Sequence, residues 1–110
     1  MGRIITLKER KAAEAARRHR AVQELRDALS AYARSHSGRF LLFGSAARNQ
    51  MRHDSDVDIL VDFSPGKLDA AWNFAERACW DRDLDPDITP FAWCKQPFLE
   101  RIAPDLEVLA

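Results

Sequence analysis

The chain has 110 residues, room for one domain with a modest core, and 46% of them are apolar, which excludes wholesale disorder. No apolar run approaches membrane-spanning length, and Met1-Gly2-Arg3-Ile4-Ile5 runs into charged residues instead of a signal-peptide core, so a soluble cytoplasmic protein is expected. Net charge is zero but uneven: residues 1–30 carry eight Lys or Arg against four Asp or Glu, and residues 54–87 carry three against ten, unlike a uniformly basic nucleic-acid binder.

Thr6-Leu7-Lys8-Glu9 has the capping-box pattern, and no proline interrupts the good helix formers from there to Gly38, so a long helix over about 6–37 is expected. Val22, Leu25, Leu29 and Tyr32 make one apolar stripe in its second half. Lys8 to Arg20 offers only alanines as apolar residues. That half projects, lies against another chain, or frays; a homo-oligomer through this helix is one expectation. The basic Arg17-Arg18-His19-Arg20 is a candidate docking surface.

Arg39-Phe40-Leu41-Leu42-Phe43 reads as a buried strand ending at glycine, and Gly44 to Met51 as a turn and short helix. From Asp56 to Phe63 the pattern alternates, with Val57, Ile59, Val61 and Phe63 on one face and Asp56, Asp58, Leu60 and Asp62 on the other. Ser64-Pro65-Gly66 turns into a second amphipathic helix carrying Leu68, Ala71, Trp72, Ala75, Ala78 and Cys79. Asp85 to Trp93 reads as a third strand that Pro86 and Pro90 shorten or place at an edge. Pro97 opens a last helix through Arg101, and Leu106 to Leu109 returns as a strand. The order of elements predicts an α/β or α+β fold, helices on a small mixed sheet, with a catalytic core over 39–110 in a single domain of 1–110. Cys79 and Cys94 lack metal-ligand spacing and are expected as free thiols.

Residues 44–58 carry the chemistry. A glycine at a strand end lets backbone N–H groups approach a ligand, and Ser45 at a helix start favours an anion such as phosphate. Asp56 and Asp58, two apart on a strand, point to one face, where two like charges need a compensating cation. Oxygen-only ligands suit magnesium completed by substrate phosphates. Asp62 lies on the same face about 13 Å from Asp58 at 3.3 Å per residue and reads as structural. His53 reads as a loop histidine, Arg52 as surface. Trp72, Trp80 and Trp93 read as buried or partner-facing more readily than as base-stacking residues.

Gly44-Ser45, ten residues, then Asp56-Val57-Asp58 resembles the nucleotidyltransferase signature of the DNA polymerase β superfamily. Phe43-Gly44-Ser45-Ala46-Ala47-Arg48 and Ser55-Asp56-Val57-Asp58-Ile59-Leu60-Val61-Asp62-Phe63 are similar to the minimal nucleotidyltransferases, antitoxin partners of HEPN-domain toxins. The resemblance implies a nucleotidyltransferase fold in which Gly44 and Ser45 hold the triphosphate and Arg48 screens it. It implies that Asp56, Asp58 and a third carboxylate, best matched by Asp87, ligate two Mg2+ ions. It further implies transfer of AMP from ATP to a hydroxyl of a HEPN partner. Asp83 and Asp85 compete with Asp87 for the third place, because Pro86 stands where the family has an apolar residue. Two alternatives stay open: transfer to a small molecule, as in aminoglycoside nucleotidyltransferases, and a weak antitoxin that acts by binding alone.

Overall fold

The computed structural model describes residues 4–52 and 55–110. Helix α1 (Leu7–His36) is followed by β1 (Arg39–Phe43), the short α2 (Gly44–Ala47), β2 (Val57–Asp62) and α3 (Pro65–Trp80). Strand β3 (Pro86–Pro90), a 3-10 turn, α4 (Gln96–Ile102), a second 3-10 turn and β4 (Glu107–Leu109) complete the chain. The strands form one mixed sheet in the order β3-β2-β1-β4, with β2 and β3 parallel and the other neighbours antiparallel. This is the expected mixed α/β architecture.

Thr6 caps α1, its Oγ1 accepting from the Glu9 N–H at 3.1 Å. At the other end the left-handed residue is Ser37 (φ 56°), not Gly38. Gly38 is needed for a different reason: a Cβ there would run into the Phe63 ring. The apolar stripe of α1 is buried as its spacing predicts, with Leu25 and Leu29 fully enclosed against α3 and the sheet. Each such leucine contributes about 1.5–3 kcal/mol, and Leu25→Ala would remove about 2–5 kcal/mol once the cavity is counted.

The sheet has two unequal faces. Phe40, Leu42, Val57, Ile59 and Val61 pack under α1 and α3 in the main core. The opposite face has a small core of Leu41, Leu60 and Ile102, with Phe43, Phe98, Leu99 and Leu106 packed against it. Leu60 is therefore buried at the centre of the face it shares with Asp58 and Asp62, and only the two ends of that face carry carboxylates.

Two of the four residues in the basic run of α1 have partners within the fold: Arg17 donates to the carbonyls of Arg82 (2.8 Å) and Asp83 (3.0 Å), and Arg18 to that of Ser55 (2.6 Å). The loops beyond α3 and before β2 supplied long-range carbonyl partners that periodicity along α1 does not reveal. Trp80 and Trp93 are exposed at 59% and 70%, because both stand at element ends beyond the reach of either core.

Candidate active site

Register brings the predicted carboxylates together. In the parallel β2–β3 ladder Asp58 stands opposite Asp87, and strands so paired lie about 4.8 Å apart. Pro86 and Pro90 fall at the two ends of β3, an edge strand bonded only to β2, so their missing N–H groups leave the register intact. The competitors are used elsewhere. Asp85 faces Arg18 at 3.7 Å, and Asp83 adopts a left-handed turn (φ 53°) whose carbonyl accepts from Arg17.

Asp58 is half-buried, and its carboxyl is pushed up to about 6. Burial is the main cause, followed by the charge of Asp87, the charge of Asp56 and a side-chain hydrogen bond with Asp87. The Arg48 charge opposes them. Asp56 and Asp87 are exposed beside it. Three negative groups thus act on one another with too little positive charge to balance them.

Antiparallel pairing sets Phe43 opposite Asp58, so Gly44 emerges beside the same carboxylate. Its φ is +71°, and a Cβ built on it would overlap Asp58 Oδ2. Ser45 opens α2 with its hydroxyl donating to Met51 Sδ at 3.5 Å. Arg48 Nη1 pairs with Asp105 at 2.9 Å and its Nε donates to Gln50, so its guanidinium is held by protein partners while its field still reaches Asp58. Asp62, at the far end of β2, pairs with Arg39 at 2.6 Å and is structural, as its distance predicts. His53 lies outside the described residues.

The donor chemistry suits a hard cation whose shell substrate oxygens complete: carboxylate oxygens of Asp56 and Asp87 within electrostatic range of Asp58, whose own carboxyl is raised first by burial and then by their charge. Among the described residues no group of three or more His, Cys, Asp or Glu side chains is placed to hold a metal ion. A groove of about 670 Å³ is lined by Arg34, Arg39, Asp62 and Phe63 at the opposite end of the sheet.

A strand-end glycine pressed on a carboxylate, and a second carboxylate in register with it, is the arrangement the sequence motif implied. The family model of the nucleotidyltransferase domain matches residues 22–105. The chain belongs to the nucleotidyltransferase-domain family. No curated protein and no solved structure matches the chain. In this nucleotidyltransferase domain the matched span starts within α1 at Val22 and ends at Asp105, so it contains both carboxylate-bearing strands and the Gly44-Ser45 turn. Membership supports nucleotidyl transfer in general. No helix among the described residues is long and apolar enough to cross a membrane.

Of the sequence-predicted residues, Gly44, Asp58 and Asp87 converge, with Asp56 and Arg48 in electrostatic range of Asp58. Sequence reasoning missed the supports behind them, Arg18 and Arg26. The signal available was two arginines eight residues apart on the otherwise apolar face of α1.

Proposed function

We propose that this domain transfers AMP from ATP to a hydroxyl of a partner protein, in the manner of an antitoxin modifying a HEPN-family toxin. The observation that carries the reading is the Asp58–Asp87 register beside Gly44. Gly44 and the N–H groups that open α2 receive the β and γ phosphates, with the Ser45 hydroxyl released from its weak contact with Met51. Asp56, Asp58 and Asp87 would hold Mg2+, which would supply charge neutralisation of the triphosphate and acidification of the acceptor hydroxyl. The acceptor oxygen bonds to the α-phosphorus as the bond to the β-phosphate bridging oxygen breaks. Pyrophosphate leaves, and the hydroxyl proton passes to the Asp87 carboxylate.

Incubation with [α-32P]ATP, Mg2+ and the protein encoded by the adjacent reading frame tests this. Label on the partner that disappears with Asp56→Asn and Asp58→Asn is the expected result. Neutralisation of the partner that persists unchanged in both variants would replace the enzyme with a module that acts by contact. Label on an aminoglycoside instead would replace the protein acceptor.

A further inference from the structure

Arg18 is the one buried charged residue among the described residues. A guanidinium is costly to bury unless its donors are used, and those of Arg18 are. Nη1 donates to the Ser55 carbonyl at 2.6 Å, Nη2 faces Asp85 at 3.7 Å, and Nε reaches Glu14 at 3.3 Å. Ser55 immediately precedes Asp56, and Asp85 lies two residues before Asp87. The Asp85 carbonyl also accepts from Val57 N–H at 2.8 Å, so β2 and β3 enter the sheet bonded to each other. Arg18 therefore holds the point where both carboxylate-bearing strands begin.

Arg26, two helical turns on, does the same for the other half. Its side chain is only 12% exposed. Nη2 donates to the Ala46 carbonyl at 2.9 Å, Nη1 to Asn49 Oδ1 at 3.2 Å, and Nε pairs with Glu107 at 2.9 Å. Ala46 lies in the helix that Gly44 and Ser45 open, and Asn49 is the left-handed residue (φ 56°) that ends the turn after it. None of these donors reaches a strand of the carboxylate pair.

We propose that Arg18 and Arg26 are two separate positioning residues of the nucleotidyltransferase site, Arg18 setting the metal-binding carboxylates and Arg26 the phosphate-binding turn. The inference rests on the reading of the site given above. Helix α1 is then a strut whose buried arginines align two halves that no single strand carries. Neither guanidinium touches substrate; each acts through the backbone it holds. A merely structural role would make both variants loosen everything together.

The test measures two affinities on the full chain: Mn2+ by the electron paramagnetic resonance of free ion, and ATP in EDTA by equilibrium dialysis. Arg18→Gln is expected to weaken Mn2+ binding about tenfold, the low end of what partners behind metal ligands contribute, with ATP affinity in EDTA within about twofold. Arg26→Gln is expected to weaken ATP binding in EDTA about tenfold, with Mn2+ affinity within about twofold. Arg18→Lys keeps the charge but not the fork, and Glu107→Gln releases Arg26 without removing it; each should show a smaller shift in the same constant, and these milder variants decide the matter should a glutamine variant unfold. Equal shifts in both constants, or no shift in a variant that stays folded, would overturn the inference. A wild-type protein that binds neither probe would overturn the nucleotidyl-transfer reading, and this inference with it.

Discussion

The two ends of β2 carry aspartates on the same face of the same strand, and they are treated oppositely. Asp62 meets Arg39 at 2.6 Å across the β1–β2 register. Asp58, four residues earlier, meets Asp87 across the β2–β3 register and is pushed up to about 6 by burial and by its acidic neighbours. A neutralised aspartate at one end and an uncompensated cluster at the other show where the fold carries an electrostatic cost that a cation and a triphosphate would relieve. The difference is one of strand neighbours: β1 presents arginine at its start and glycine just past its end.

The largest effect that sharpens this contrast is on transfer itself. Asp58→Asn should lower label transfer by about 10³-fold or more, since cation-held charge is worth several kcal/mol at the reacting phosphate. Asp62→Asn should leave transfer within about twofold, and comparable losses in both would break the contrast. Gly44→Ala comes next. It forces a side chain into a left-handed backbone position (φ +71°) and against Asp58 Oδ2, so thermal or urea unfolding should show a loss of about 1–3 kcal/mol. Gly66→Ala, where nothing lies within 4 Å, sits in the first turn of α3 and should instead leave stability unchanged or add less than about 0.5 kcal/mol, the low end of the helix-interior gain.

The pH dependence follows from the raised carboxyl of Asp58. Its folded value, about 6, lies above the ordinary 3.8, so its stabilising contribution is fully present below about 3.8 and is lost as pH rises through about 6. In EDTA, the melting temperature of wild-type protein minus that of Asp58→Asn should therefore fall between pH 4 and 7. Mg2+ with ATP at pH 7 should recover the difference, because binding selects the ionised carboxylate. A difference that stays flat across this window would show that Asp58 carries no such burden. Smaller again, Asp62→Asn should cost under about 1 kcal/mol, as half-exposed ion pairs do.

Much of this was legible in the sequence because it is local. The capping pattern at Thr6 and Glu9, the stripe of Val22, Leu25 and Leu29, and the alternation through Val57, Ile59 and Val61 each depend on neighbours in the chain. The Gly44-Ser45 and Asp56-Val57-Asp58 motif is local too. The doubt about Asp87 concerned register, which depends on which strand β3 joins and where its prolines fall in the ladder; only the assembled sheet settles that. Arg18 and Arg48 show the same limit from the other side. Their partners, Ser55 with Asp85 and Asp105 with Gln50, include residues 37 to 67 positions away, and no spacing rule along the chain reaches them. Trp80 and Trp93 are not buried, because hydrophobicity reports what a residue prefers, not whether the fold has room for it; of the two readings, the partner-facing one is left for them.

The central claim is that the Asp58 end of β2 binds a metal-complexed nucleoside triphosphate and the Asp62 end does not. Calorimetric titration of a non-hydrolysable ATP analogue with Mg2+ into wild-type, Asp58→Asn and Asp62→Asn protein tests it most directly. Binding of equal strength to wild-type and Asp62→Asn, with no measurable heat for Asp58→Asn, is the predicted result. Undiminished binding to Asp58→Asn, or a loss shared by Asp62→Asn, would contradict it.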